Sequence, residues 1–229
     1  MAASSTARVV WVLCAVAACG SADGAGGRGA VARGAGRPAS DSARAADDPL
    51  VRRADRARVQ GDSAAKVWMV EVSDFQCPYC KGWHDETYPV VLRDYVATGR
   101  VKMAYVNFPL PMHQQAWPAA EAAMCAGAQG KFWEMHDALF AAQAAWSARP
   151  AVFDSLAGAV GVDVAAWRQC VGSKAMRRLI QSDYDRSQRA GVNSTPTFII
   201  GDQTIEGAQP ADVFRRALDS ALARAGGGH

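Results

Sequence analysis

Two thiols set three residues apart, Cys77 and Cys80 in Cys77-Pro78-Tyr79-Cys80, are the chemistry-bearing feature of this sequence. A Cys-x-x-Cys pair can carry redox exchange or hold a zinc ion, and its position in the chain decides between them. Val67, Trp68, Met69, Val70 and Val72 form a β-rich run that breaks at Ser73-Asp74, as a buried strand would. The pair follows directly and opens an amphipathic stretch with apolar Tyr88, Val91, Leu92 and Tyr95. At a helix N-terminus, free N–H groups and the helix dipole favour an anion. Cys77 is therefore expected to ionise in the range of roughly 3.5–7.5 found for such motifs. Pro78 suits the first helical turn, where its missing N–H costs nothing. Cys80 then lies one turn inside, more shielded than an accessible Cys77. An attacking thiol and a resolving thiol are what exchange through a mixed disulfide requires.

The elements that would position this pair read as strand, helix, strand, a long helical block, then strand, strand, helix. The first helix runs from Lys81 to about Thr98 and stops at Gly99, and Val101 to Phe108 is the second strand, ended by Pro109 and Pro111. A strand–helix–strand unit implies a right-handed parallel crossover. His113 to about Ala190 reads as helical; Phe132, Met135, His136, Leu139 and Phe140 repeat at helical spacing. Thr197–Ile200 and Thr204–Glu206 flank a Gly201-Asp202 turn, and Pro210 to Ala225 is the last helix. The fold class is α/β.

Asp74-Phe75-Gln76-Cys77-Pro78-Tyr79-Cys80, Gly130-Lys131-Phe132-Trp133 and Gly191-Val192-Asn193-Ser194-Thr195-Pro196-Thr197 together resemble the DsbA-like branch of the thioredoxin superfamily. The resemblance covers about Lys66 to Ala223. It implies a thioredoxin-like fold over 63–229 with an all-helical insertion at about 112–190. It also implies a cis Pro196 facing the disulfide, and a Thr195 backbone that hydrogen-bonds substrate near the mixed disulfide. Glu71 stands where that family has a buried acid. Desolvation would raise its pKa so that it exchanges a proton with Cys80; the alternative is a solvent-facing Glu on a strand edge. Cys125 and Cys170 fall in the helical block, where some members carry a second disulfide; the alternative is two buried free thiols. Tyr79 brings no positive charge, unlike the histidine common at that place in the family, so a milder oxidant is expected.

The N-terminal region reads separately. Arg8 is the only charge before an apolar run from Val9 to Ala18, which has the length of a signal-peptide core and is too short to span a bilayer. Val16-Ala17-Ala18-Cys19 resembles the lipobox of bacterial lipoproteins, which would make Cys19 the lipidated first residue; an ordinary signal cleaved after Ala17 or Ala22 is the alternative. Residues 1–19 are thus the expected signal and 20–62 a flexible tether, poor in large apolar residues, with a short helix conceivable over Asp47 to Arg58. Met1 to Gln60 holds nine Arg and five Asp, so the remaining residues sum to −1 of the net +3. A nearly neutral folded part excludes the basic footprint of a nucleic-acid binder.

The expected protein is an extracytoplasmic, lipid-anchored, monomeric thiol–disulfide oxidoreductase with no cofactor beyond a Cys77–Cys80 disulfide. Its expected partners are reduced or misoxidised exported proteins and a membrane redox protein. An isomerase or reductase, or a thiol-based metal module, are the other readings. Cys77, Cys80 and His84 lack the fourth ligand zinc normally takes, so no metal is expected. His113 is expected at a helix start in a structural role, and His136 as a satisfied core histidine. Trp117, Trp133, Trp146 and Trp167 read as core residues. Neither a phosphate-binding glycine loop nor a nucleophilic serine constellation is present.

Overall fold

Alternation along Val67–Ser73 places Val67, Met69, Glu71 and Ser73 on one face of a strand, and this strand is the centre of the sheet. The computed structural model describes residues 48–226. Within them the helices are α1 (Pro49–Ala57), α2 (Pro78–Glu86), α3 (Tyr88–Val91), α4 (Ala116–Gly127), α5 (Phe132–Ala141), α6 (Gln143–Ala148), α7 (Val152–Ala159), α8 (Val164–Ser173), α9 (Arg177–Arg189) and α10 (Ala211–Gly226). The strands are β1 (Val59–Gln60), β2 (Val67–Ser73), β3 (Val101–Asn107), β4 (Thr197–Ile200) and β5 (Gln203–Glu206), in sheet order β1-β3-β2-β4-β5. β2 and β3 are parallel from Val67↔Val101 to Ser73↔Asn107, joined by the α2–α3 crossover; the other pairings are antiparallel.

The crossover is not one helix. Thr87 ends α2, Pro89 falls in the first turn of α3, and Leu92–Val96 continues as a π-helical turn. A proline has no N–H for the preceding turn, which is why the apolar periodicity could run on while the helix could not. β5 begins at Gln203, so Gly201-Asp202 forms a two-residue turn with Gly201 at φ 61°. Helices α4 to α9 all lie between β3 and β4 in sequence. They build one apolar cluster, with Phe132, Met135, Phe140, Trp146 and Trp167, that reaches Phe75, Cys77 and Cys80. A second cluster packs β2, β3 and β4 against α3 and α10 through Met69, Met103, Phe198, Phe214 and Leu218.

Order begins well before residue 63, which corrects the expected tether over 20–62. Asp48 caps α1 by accepting from Leu50 N at 2.8 Å, Val51 and Ala54 are buried, and β1 pairs with β3 at Val59↔Ala104 and Gln60↔Met103. Arg58 is buried against Asp183 on α9. The segment looked unable to fold because its anchors are few: two small apolar residues one turn apart, one arginine and a two-residue strand. Residues 1–47, with the expected signal, Cys14, the Cys19 lipidation site and most of the tether, lie outside the described residues.

Candidate active site

The loop from β2 to α2 is fixed from both sides before its thiols enter the argument. Asp74 Oδ1 accepts from Gln76 N at 2.7 Å, while its Oδ2 accepts from Leu110 N at 2.8 Å and meets His113 Nδ1 at 2.7 Å. This carboxylate therefore ties the loop after β3 to the approach to Cys77. Its burial raises the Asp74 pKa, with those hydrogen bonds opposing. From the helical block, Gln143 Nε2 donates to Phe75 O at 2.7 Å and to Cys77 O at 3.0 Å. Gln76 Oε1 accepts from Gln115 N at 2.7 Å. Gln143 and Gln115 carry no motif signal, and Asp74, though it opens the quoted motif, was given no role by the sequence.

Cys77 is the N-cap of α2, with Pro78 in the first turn. The Cys77 thiol ionises at about 6. The largest cause is the hydrogen bond donated by Cys80 S–H; burial opposes it, and Thr195 and the N–H groups of Cys80 and Tyr79 add to it. The helix terminus expected to do this therefore contributes, but behind the second cysteine. Cys80 shifts the other way, well above an ordinary thiol, through burial and the neighbouring Cys77. Both residues are free thiols and both are buried; Cys77, expected to be accessible, is only 3 % exposed. The reason is the β4 entry: Cys77 Sγ donates to Thr195 O at 3.4 Å, and the Thr195–Pro196 peptide bond is cis. Tyr79, between the two cysteines, has 68 % of its surface in solvent.

Glu71 is fully buried on the central strand β2, not on an open strand edge. Desolvation raises its pKa to about 7, opposed by the nearby Ser73 hydroxyl and the charge of His84. Ser73 lies close enough to be felt but outside hydrogen-bonding geometry: both Glu71 oxygens and Ser73 Oγ are without a partner. Ser73 also lowers the Cys80 pKa, so both the acid and the resolving thiol feel it. A buried acid ionising near 7 beside a shielded thiol is matched to proton transfer at neutral pH.

Other sequence-marked residues fall elsewhere. Cys125 and Cys170 form a disulfide between α4 and α8, with Cα atoms 5.8 Å apart. His113 binds Asp74, as above. His136 is in the core but is not satisfied, which corrects the expectation: its Nε2 has no partner, while Nδ1 meets Asp137 Oδ1 at 2.7 Å. His84 pairs with carboxylates: its Nε2 meets the same Asp137 oxygen at 3.2 Å and its Nδ1 meets Asp85 at 3.2 Å. The donor atoms of His84, His136 and Asp137 lie within 4.8 Å of one another, already closed on one carboxylate oxygen.

A family model described as thioredoxin matches residues 53–220. A Na(+)/H(+) antiporter NhaA 1 of Salinispora arenicola is 34% identical over 170 residues, covering 74% of this chain and 25% of that protein. The chain thus spans about a quarter of the length of the first curated relatives it matches. A probable disulfide bond formation protein D of Bacillus anthracis is 25% identical over 169 residues, 71% of this chain and 76% of that protein. The crystal structure of Wolbachia pipientis alpha-DsbA1 superposes with a TM-score of 0.66 at 21% identity, covering 73% of this chain and 92% of that one. The chain belongs to the thioredoxin family and has the helical insertion of its DsbA-like branch. No described helix is long and apolar enough to cross a membrane.

Proposed function

We propose that this chain is an extracytoplasmic protein thiol–disulfide oxidoreductase that works mainly as an oxidant of exported proteins. The observation that carries this reading is the asymmetry of the pair: Cys77 ionises at about 6 while Cys80 is held protonated, under a Thr195 carbonyl and a cis Pro196. In the oxidised protein a substrate thiolate attacks Cys77, the Cys77–Cys80 bond breaks, and Cys80 leaves as a thiolate that takes a proton from Glu71. A second substrate thiolate then attacks the first substrate sulfur, and Cys77 leaves as a stable thiolate. Two electrons pass from the substrate dithiol to the protein, and the substrate keeps the new disulfide. The Thr195 backbone, already within reach of Cys77, holds the substrate chain during the mixed disulfide.

A lower Cys77 pKa favours the reduced protein and hence oxidising power. Values of about 3.5 accompany a strong oxidant and about 7 a reductant, so a thiol at about 6 supports a mild oxidant. The protein works as a monomer held to a membrane by a lipid on Cys19. A membrane redox protein reoxidises it, and reduced or misoxidised exported proteins are its substrates. Equilibration with glutathione buffers tests the direction: the potential is expected above the roughly −270 mV of thioredoxin. A value as low as that would make the protein a reductase. Reduced ribonuclease reoxidised by the parent but not by Cys77→Ala is the expected activity. Tight Zn²⁺ binding with neither oxidation nor insulin reduction would make it a metal module instead. Mass spectrometry of the mature N-terminus reads the Cys19 lipid.

A further inference from the structure

Catalysis by this pair moves a proton on and off Cys80, whose sulfur has no exposed surface, through Glu71, which has none either. The proton needs a way between this acid and solvent, and the mechanism above does not supply one. Three buried polar groups without partners mark a route: the Glu71 carboxylate, the Tyr105 hydroxyl and His136 Nε2. Glu71 and Tyr105 are directly paired across β2 and β3, so their side chains leave the same face of the sheet side by side. The Tyr105 ring meets the His136 ring edge-on, with centroids 5.4 Å apart. On its far side His136 gives Nδ1 to Asp137 Oδ1 at 2.7 Å, and Asp137 also meets His84 Nε2 at 3.2 Å. The His136 side chain is fully buried, whereas Asp137 is 53 % exposed. An imidazole with an unpartnered nitrogen facing inward and a carboxylate on its other nitrogen can take a proton on one side and release one on the other.

The geometry points to Tyr105, His136 and Asp137, assisted by His84, as the proton conduit between Glu71 and solvent. This rests on the oxidoreductase reading of Cys77 and Cys80 and adds to it the path by which the reaction exchanges its proton with water. When Cys80 leaves as a thiolate, Glu71 protonates it. Tyr105 then hands its proton to Glu71, His136 Nε2 passes the proton it carries to Tyr105, and Nδ1 takes one from Asp137, which draws it from water. The imidazole enters this step with its single proton on Nε2, the tautomer that an outward run leaves, and ends it with the proton on Nδ1. Buried water, a common partner of polar groups that lack one in the protein, would bridge the steps these groups do not span directly. No net charge stays in the core, and the reverse reaction runs the chain outward.

The titratable groups facing this chain are Cys80 and His84 on α2, Tyr88 on α3, Tyr105 on β3 and Asp137 beside His136 on α5. Their states suit the relay. Burial keeps Tyr105 protonated and lowers the His136 pKa, leaving a neutral imidazole at pH 7. Burial works upward on Asp137, but the hydrogen bonds from His136 and His84 hold it ionised at about 2.

The test is stopped-flow reduction of the purified, oxidised protein by dithiothreitol across pH 5–9, in low buffer, for the parent, Tyr105→Phe and Asp137→Asn. Tyr105→Phe keeps the ring and its packing; Asp137→Asn changes a half-exposed side chain. A proton-transfer step is worth 10²- to 10⁴-fold, and loss of one relay member is expected to slow reduction by at least about tenfold. The slowed variants are expected to show a larger solvent isotope effect and to regain rate in about 100 mM imidazole. The rate of Cys77 alkylation by iodoacetamide is expected to stay unchanged. Rates within about twofold of the parent, or a loss that imidazole does not restore, overturn the conduit while leaving the oxidoreductase reading intact. A parent whose Cys77–Cys80 disulfide does not form or exchange overturns both.

Discussion

A thiol that ionises at about 6 is mostly thiolate at neutral pH, and here the group most responsible is another cysteine. Cys80→Ala is therefore expected to raise the Cys77 pKa, read as thiolate absorbance near 240 nm; an unchanged titration would return the whole effect to the helix terminus. In the reduced protein the folded pKa lies below the ordinary thiol value of 9.0. Its contribution to stability is full above pH 9 and fades as the pH falls through about 6. Glu71 has the opposite sign. Its folded pKa of about 7 lies above the ordinary 4.5, so its contribution is complete below pH 4.5 and is lost as the pH rises through 7. Glu71→Gln removes that liability. Urea unfolding of the oxidised variant is expected to show a gain of up to roughly 3 kcal/mol at pH 8 and little change at pH 4, with slower disulfide exchange. A loss of stability at pH 8 would mean that Glu71 is not desolvated.

Elements distant in sequence hold the reactive loop. β2 and the α2 start deliver Cys77 and Cys80, β4 delivers Thr195 and Pro196, and α6 grips the loop through Gln143. Gln143→Ala would strip one donor from two buried carbonyls, at a cost of about 1–3 kcal/mol. Its expected effect is a lower thermal midpoint together with faster alkylation of Cys77, because the loop loses its hold on the insertion side. A lower midpoint with unchanged alkylation would confine Gln143 to stability.

At the scale of the molecule, two long-range ties brace the fold, one within the helical insertion and one between the N-terminal segment and α9. The Cys125–Cys170 disulfide closes a 45-residue separation, and chain entropy alone makes such a closure worth roughly 4 kcal/mol. The double variant Cys125→Ala, Cys170→Ala is expected to unfold at lower denaturant; an unchanged midpoint would argue that the bond is not formed in solution. Arg58 and Asp183 join α1 to α9 across 125 residues, with Asn107 also donating to Asp183. Asp183→Ala leaves the buried Arg58 guanidinium with only the half-exposed Asp55 as its counter-ion, a loss expected to fall below the about 3–5 kcal/mol of a fully unpaired buried charge. Differential scanning calorimetry is expected to show it as a single lowered transition, since α1 and β1 pack on the same core.

The sequence by itself determined the redox pair, its place at a helix start and the strand–helix order, while the cis Pro196 came only from the resemblance to a family. The first three are short-range patterns in which the residue type and its immediate neighbours contain the physics. Pro89 was visible too, and only the unbroken apolar stripe around it concealed the end of α2. What the tertiary structure decided are meetings between residues far apart in the chain: Asp74 with His113, Cys77 with Gln143, His84 with Asp137, Arg58 with Asp183. A lone Gln or Asp on a helix carries no periodicity, and its partner is set by how helices stack on a sheet. The same holds for Glu71, His136 and Tyr105. Their types were plain in the sequence, but burial without a partner is a property of the packed core, and that is what turns an ordinary acid, imidazole and phenol into groups able to pass a proton.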